Sequence, residues 1–234
     1  KLDAEFRQRM ENVLDQYEQP LDPAEPVICV DEQPYQMLDD ARPPQPAAPG
    51  KIAKQDYEYR RGGTCSISVA VEPKAGRRFV QPRHRRTRVD FARFVRDLLR
   101  RYPHARVIHL VLDNLNTHNP ESLIEAFGEK EAKKLLKRIR WHDTPKHASW
   151  LNMVEIEIGV LASQCLARRI PDLVTLTTEV DAWSTARNHA GVRHLLDLSE
   201  RATPWSRIEV TGENDRTGHR LEFAAQTLQL LPLP

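Results

Sequence analysis

One stretch of the sequence decides the fold: residues 107–113 read VIHLVLD. A run of this length, almost entirely apolar and rich in β-branched residues, is typical of a strand that is buried on both faces. Residues 27–31 repeat the pattern as VICVD. A sheet built from such strands needs helices on its two faces. The two runs therefore predict an α/β domain.

The other periodic segments place further elements around these two strands. Helices are predicted over residues 2–18, 89–101, 129–137, 150–168 and 173–189, with one more beginning at Pro120. Strands are predicted over 65–71, 78–80 and 139–141, the first two as a hairpin, and a proline-rich loop over 40–50. Hairpin strands followed by strands that alternate with helices predict a mixed sheet flanked by helices.

The composition is that of an ordinary folded domain and excludes several classes of protein. Of the 234 residues, 40% are hydrophobic and 29% are charged, far from a disordered composition. The net charge of +2 is too small to indicate a nucleic-acid partner by itself. Three widely spaced cysteines argue against a disulfide framework or a thiolate zinc site. Because no apolar run is long enough to cross a bilayer and no secretion signal opens the chain, we expect a cytoplasmic protein without a membrane partner.

Two aspartates stand where the buried strands are predicted to end. Asp31 follows residues 27–30, and Asp113 follows residues 107–112. Ligands of open α/β sheets bind at the carboxyl ends of the strands, so acids at two such ends are well placed for chemistry. Taken alone, each aspartate is explained by turn formation, and Asp113 with Asn114 suits a turn.

A third acid is predicted from the helix that begins near Trp150. Glu155 falls at the edge of its apolar stripe, whereas Glu157 projects from nearly the opposite side. The stripe consists of Leu151, Val154, Ile158, Leu161, Ala162 and Cys165. A carboxylate that borders a buried face needs a partner, and a metal ion is one. A helix cap or a salt bridge to an arginine explains Glu155 more simply when it is considered alone.

Three carboxylates that converge from two strands and a helix suit a hard divalent cation, Mg²⁺ or Mn²⁺. In a two-metal site, such ions bind the attacking and the leaving oxygen of a phosphodiester displacement. The carboxylates would hold the metals, and the nucleophile would be water or a DNA 3′-hydroxyl.

Three sequence blocks contain these acids: CVDEQP at residues 29–34, LVLDNLNTH at 110–118 and TPKHASWLNMVE at 144–155. In this order they resemble the signature blocks of bacterial insertion-sequence transposases of the mariner-like DDE superfamily. The resemblance covers about residues 5–190. It includes two further short matches, QCL at 164–166 and RRIP at 168–171.

The resemblance implies a ribonuclease-H-like fold and a catalytic triad on Asp31, Asp113 and Glu155. It also implies Mg²⁺ (or Mn²⁺) as cofactor, and as partner DNA, both the terminal repeats of the element and the target. The separation of 42 positions between the last two acids (155 − 113) is of the kind that such transposases show. The implied catalytic domain spans residues 27–190, after an N-terminal helix and linker over 1–26.

The sequence departs from the family at both ends. Such transposases usually begin with helix-turn-helix domains, and this chain starts too close to the first block to contain them. Residues 191–234 are unlike the family's C-terminal segment and are expected to form an atypical, disordered tail. An inactive remnant that only binds DNA, or self-associates as a homodimer, therefore stays open as an alternative. A phosphatase with an aspartyl nucleophile is set aside because it needs an acid where Gln33 stands.

Local basic clusters indicate DNA binding more than the net charge does. The run RHRRTR at residues 83–88 is predicted to form a loop before a helix and to contact DNA phosphates in a sequence-independent way. Its arginines are Arg83, Arg85, Arg86 and Arg88. Lys146 and His147 precede the helix of Glu155 and are expected to meet a phosphate near its N-terminus. The basic residues from Lys133 to Arg140 are explained as well by a solvated helix face.

Polar residues near Asp113 are candidate auxiliaries. Asn114, Asn116 and His118 follow it closely and would contact DNA or orient the aspartate, although a hydrogen-bonded loop is an equal explanation. Asp143 stands at a third predicted strand end and would assist metal binding. We favour a surface or loop role for Asp143, because the family usually has a neutral or aromatic residue there.

Overall fold

The computed structural model describes residues 3–196 and 208–211 of the chain. A five-stranded sheet in the order β3-β2-β1-β4-β5 lies at its centre. The strands are β1 Val27–Asp40, β2 Tyr59–Glu72, β3 Arg77–Arg83, β4 Ile108–Leu112 and β5 Ile139–Asp143. β1, β2 and β3 pair antiparallel in succession, whereas β4 lies parallel to both β1 and β5. The predicted mixed sheet is confirmed.

Helices flank this sheet. They are α1 Ala4–Glu18, α2 Arg88–Arg101, α3 Pro120–Leu136, α4 Val154–Gln164 and α5 Leu173–His189. A single 3₁₀ turn, Ser149–Leu151, precedes α4, and β6 Arg193–Leu196 pairs with β7 Ile208–Thr211 in a separate antiparallel ribbon. No helix within residues 3–196 is both long and apolar enough to cross a membrane.

Two hydrophobic clusters lie on opposite faces of the sheet. Side chains alternate along β1, so Cys29 packs with residues of α1, α4 and α5, whereas Ile28 and Val30 pack with residues of α2 and α3. β4 is divided in the same way, with Val111 in the first cluster and Leu110 in the second. Strands that feed two clusters must be apolar at nearly every position, which explains the two runs that predicted the fold.

α2 packs as its sequence predicts and begins within one residue of the predicted position. The Thr87 hydroxyl accepts a hydrogen bond from the Asp90 amide, and the Asp90 carboxylate accepts one from the Thr87 amide, which together form a capping box. The helix starts one residue earlier than predicted, at Arg88. The predicted inner stripe is buried in full: Phe91, Phe94, Val95, Leu98 and Leu99.

β1 is far longer than its apolar run. It continues to Asp40 because β2 pairs with it along its whole second half, as far as Asp40↔Tyr59. Asp31 therefore lies inside a strand, and the prediction that it follows the end of a strand is wrong. The polar residues of this half are compatible with a strand because backbone pairing, rather than burial, holds them there.

The single helix predicted over 150–168 is wrong as well. The 3₁₀ turn and α4 replace it, and α4 ends at Gln164. Between them Asn152 adopts an extended backbone, and its side-chain amide donates to the Val30 carbonyl at 2.9 Å. The two helices predicted after Pro120 form α3, which is interrupted at Gly128, where φ is 74°.

The predicted C-terminal tail is described only in part. Residues 197–207 and 212–234 lie outside the described residues. The tail begins as part of the fold, because the His194 side chain is fully buried and its backbone amide donates to the Pro73 carbonyl at 3.0 Å.

Candidate active site

The register of the sheet brings the two aspartates to one level. The parallel pairing of β1 with β4 ends at Cys29↔Val111, and Asp31 and Asp113 each lie two residues further on. Residues two apart along a strand share a face, so Asp31 is on the side of Cys29, which packs against α4. Although Asp31 is in mid-strand, its neighbour β4 ends beside it. The site therefore still opens at the carboxyl end of a parallel strand.

α4 brings the third acid to the same face. Val154 anchors its first turn in the hydrophobic cluster, and Glu155 follows directly. Burial, supported by the charges of Asp113 and Glu155, raises the pKa of Asp31 to about 7, although a hydrogen bond from the Glu32 amide opposes this rise. Partial burial and the charge of Asp113 also raise the pKa of Glu155. The three carboxyl groups thus lie within electrostatic reach of one another.

These acids fit a divalent cation by their chemistry. Carboxylate oxygens are ligands that Mg²⁺ and Mn²⁺ prefer, and the repulsion that helps to raise the pKa of Asp31 is relieved by a positive ion. In the described part of the chain, no three histidine, cysteine or acidic side chains are gathered closely enough to form a ready metal cage. The structure therefore brings the predicted acids near one another in an open arrangement.

His118 joins the acidic site to a fourth carboxylate. Its Nδ1 lies 2.6 Å from Oδ1 of Asp113, and its Nε2 lies 3.0 Å from Oε2 of Glu32. Burial alone would lower the pKa of His118, but the hydrogen bonds and charges of the two acids outweigh it and raise the pKa to about 9. Glu32 had no signal in the sequence, because alternation along β1 turns it to the face opposite Asp31.

The two asparagines after Asp113 have different environments. Asn114 is exposed, accepts a hydrogen bond from Nη1 of Arg9 at 2.5 Å and donates to the Thr144 carbonyl. It therefore links α1 to the loop after β5. Asn116 is also exposed, and its carbonyl accepts from the side chain of Asn119 at 2.8 Å.

The basic run does not form a single loop. Arg83 is the last residue of β3 and Arg88 is the first of α2, so the prediction of a loop is wrong at both ends. Pairing of Arg83 with Ser66 extends the strand, and the capping box fixes the start of the helix. Arg85 and Arg86 lie in the exposed connection between them.

Three of these arginines approach acids of the same chain. The pairs are Arg83 with Asp97 at 3.4 Å, Arg86 with Glu32 at 3.8 Å and Arg88 with Glu125 at 3.7 Å. Since Glu32 follows Asp31 directly, Arg86 places the basic run at the border of the acidic site.

Lys146 and His147 are exposed in the turn between β5 and the 3₁₀ turn. His147 has a φ of 62°, a left-handed conformation that is uncommon for a residue with a side chain. The two residues lie before the 3₁₀ turn and not directly at the first turn of α4, because the predicted single helix is split.

Glu157 corrects a prediction about α4. Its side chain is fully buried, although the helical pattern turned it away from the apolar stripe. It lies 2.8 Å from Nε of Arg78, 2.6 Å from Nε of Arg187 and 2.6 Å from Nε2 of His194. Burial alone would raise the pKa of Glu157, but these partners lower it to about 2. α4 is buried on a second side because β3, α5 and β6 meet there.

Asp143 is closer to the site than predicted. β5 extends to Asp143, which pairs with Leu112 in the sheet register and so belongs to a strand rather than a loop. Burial raises its pKa, the charges of Arg9 and His118 lower it, and the charge of Asp113 raises it. Asp143 is thus a further acid at the same edge of the sheet.

A comparison with protein families identifies one that covers more than half of the chain. Residues 26–177 match the family described as DDE superfamily endonuclease. No match was found among curated proteins.

Several solved structures of the Mos1 mariner transposase have a similar fold. The Mos1 mariner paired end complex with Mn has a TM-score of 0.50 at 14% identity, over 80% of this chain and 56% of that one. The corresponding complex with Mg has a TM-score of 0.50 at 16% identity, over 79% and 56%. The Mos1 strand transfer complex has a TM-score of 0.50 at 15% identity, over 77% and 53%. This chain therefore spans little more than half the length of those chains, and the likeness confirms the predicted ribonuclease-H-like fold.

Proposed function

Because the chain belongs to the DDE superfamily endonucleases, we propose that it is the catalytic domain of an insertion-sequence DNA transposase, which cleaves phosphodiester bonds and transfers DNA strands. The observation that supports this proposal is that Asp31 and Asp113 each lie two residues beyond the last pair of the β1–β4 ladder, with the charges of Asp113 and Glu155 acting on Asp31. We take residues 27–190 as this domain, with residues 1–26 as the helix and linker before it.

The three acids would hold Mg²⁺ or Mn²⁺, and each has a defined support. β1 fixes Asp31, the end of β4 and His118 fix Asp113, and the packing of α4 fixes Glu155. When bound in a pair, such ions lower the pKa of an attacking water or 3′-hydroxyl and stabilise the leaving oxygen. Asp143 lies at the edge of this group, and its carboxyl group would change the net charge of the metal site.

DNA is the proposed partner, as element ends and as target. Arg86 approaches Glu32, the residue after Asp31. We propose that Arg83, Arg85, Arg86 and Arg88 contact the phosphates together with Lys146 and His147 on the loop after β5. Arg85 is the strongest candidate, because it is exposed and three of its neighbours already approach acids of the chain. Asn114 and Asn116 would meet the strand nearest to Asp113.

A cleavage assay tests this function. The purified chain is incubated with millimolar Mn²⁺ or Mg²⁺ and either supercoiled plasmid or duplexes that carry the element ends, beside Asp113→Asn. We expect cleavage by the parent that falls by roughly 100-fold or more in the variant, because metal ions stabilise the transition state by several kcal/mol. Equal background in both proteins, with DNA still retained, would instead identify an inactive remnant that only binds DNA or self-associates.

A further inference from the structure

The imidazole of His118 lies between two carboxylates that belong to different strands. Asp113 follows the end of β4, and Glu32 lies within β1 directly after Asp31. Both ring nitrogens are engaged, at 2.6 Å and 3.0 Å. The His118 side chain is fully buried, and that of Glu32 is 3% exposed. Loss of either contact would leave a buried polar group without a hydrogen-bond partner, which costs free energy of folding.

Aromatic packing fixes the plane of this imidazole. The ring of Phe91 lies 4.6 Å from the ring of His118, centroid to centroid, at an interplanar angle of 33°. Phe91 belongs to the buried stripe of α2 and is itself 2% exposed. His118 therefore has a defined orientation on the face of the sheet opposite α4.

The main chain leaves Asp113 without a direct tie to β1. The parallel pairing ends at Cys29↔Val111, so the ladder does not extend to the level of the two aspartates. At this level, where backbone pairing is missing, side chains connect the two strands instead: His118 contacts both Glu32 and Asp113. These contacts connect the residue after Asp31 to the second predicted metal ligand, across the point where the ladder stops.

We propose that His118 and Glu32 are positioning residues that hold the carboxylate of Asp113 at the distance from Asp31 that divalent metal binding requires. The inference rests on the proposed function of the site. Neither residue needs to touch DNA or metal for this role. A purely structural role for His118, as a partner that neutralises the buried Glu32, predicts a stable fold but no effect on metal binding.

Metal binding without DNA is the direct readout. Mn²⁺ is titrated into the full chain and the free ion is followed by electron paramagnetic resonance, for the parent, His118→Asn, Glu32→Gln and the alanine variants of both positions. Asparagine reaches Asp113 but not Glu32, whereas glutamine keeps an acceptor for Nε2 of His118. We expect about a tenfold or larger loss of Mn²⁺ affinity in His118→Asn and both alanine variants, and affinity within about threefold of the parent in Glu32→Gln.

The double variant shows whether the two residues act as one unit. If they form a bridge, His118→Ala combined with Glu32→Ala loses no more affinity than either alanine variant alone, whereas independent effects would add.

Glu72→Ala is the matched control, because Glu72 is 3% exposed on β2 and accepts a hydrogen bond from Tyr102, away from the site. It is expected to leave Mn²⁺ affinity unchanged. Thermal melting in chelator identifies any variant that does not fold. If an alanine variant fails to fold, the Mn²⁺ affinities of His118→Asn and Glu32→Gln test the inference instead.

Two different results would overturn the inference. Unchanged Mn²⁺ affinity in folded His118→Asn and in the alanine variants, with strong loss in Asp113→Asn, rejects the positioning role and leaves the proposed metal site intact. Absence of Mn²⁺ binding by the parent, or equal binding by Asp113→Asn, rejects the metal site itself and the positioning role with it.

Discussion

At the scale of single residues, buried histidines make the stability of this fold sensitive to acid. Nε2 of His142 lies 2.9 Å from Nδ1 of His109, and Nδ1 of His142 lies 2.6 Å from Oδ1 of Asn12. Burial, with a smaller effect of the charge of His109, lowers the pKa of His142 to about 4. The folded chain therefore holds this imidazole neutral, whereas the unfolded chain protonates it below its ordinary pKa near 6.5.

The sign of the pH effect follows from this difference in proton binding. The unfolded state binds more protons between about pH 6.5 and pH 4, so the free energy of unfolding falls as the pH falls through that window. We expect the parent to lose roughly 2 kcal/mol more than His142→Gln between pH 6.5 and pH 4.5, from urea unfolding at each pH. If the free energy of unfolding depends on pH in the same way in both proteins, His142 is not held neutral by the fold.

The residues of the candidate site were predictable to different degrees. Asp31, Asp113 and Glu155 stand beside apolar patterns that identify buried elements, so their neighbourhood could be inferred. Glu32 could not, because its contact with His118 depends on how far the β1–β4 ladder extends. Glu157 was misplaced, since a helical wheel shows one buried side and cannot show that a second layer covers another.

At the scale of elements, α4 is held by a buried ionic cluster. Glu157 pairs with Arg78 of β3, Arg187 of α5 and His194 of β6. Four elements meet at this carboxylate, which lies two residues after Glu155. The cluster therefore fixes the first turn of the helix that carries the third acid of the site.

Removal of the central carboxylate should destabilise the fold strongly. We expect Glu157→Ala to lower the free energy of unfolding by about 3–5 kcal/mol, because it leaves two guanidinium groups buried without their partner. Glu155→Ala is the control in the same helix turn. It should change stability by less than about 1 kcal/mol, since Glu155 is solvent-accessible. Chemical unfolding at neutral pH measures both, and similar losses in the two variants would contradict this account of α4.

Element boundaries show why sequence patterns were incomplete. The buried stripe of α2 and the capping box at its start are local, so that helix was predicted to within one residue. The second half of β1 depends on pairing with β2, and the break before α4 depends on the hydrogen bond from Asn152 to Val30. Both are contacts between residues far apart in the chain, and local periodicity of the sequence cannot predict such contacts.

At the scale of the whole molecule, the distribution of charge matters more than its sum. The net charge is only +2, yet the exposed connection between β3 and α2 is rich in arginine and borders the acidic site. A surface of this kind binds DNA phosphates with an affinity that falls as salt rises.

A substitution of Arg85 tests whether DNA binds to this surface or to the solvated face of α3. We expect Arg85→Ala to weaken DNA binding at all sequences and to reduce by about 1 the slope of log affinity against log salt concentration. Lys133→Ala is the control, because Lys133 is exposed on α3 and approaches Glu129 at 3.4 Å. Its slope should equal that of the parent. Fluorescence anisotropy over a salt series measures both slopes, and a larger change in Lys133→Ala would place the DNA on α3 instead.

The central claim is that the carboxylates of Asp31, Asp113 and Glu155 hold divalent metal together. Anomalous diffraction from crystals of the chain soaked in Mn²⁺ tests it most directly. The account predicts a Mn²⁺ peak at about 2–2.5 Å from oxygens of these carboxylates, absent in crystals of Asp113→Asn. Manganese bound only elsewhere, with the three carboxylates turned apart, would contradict it.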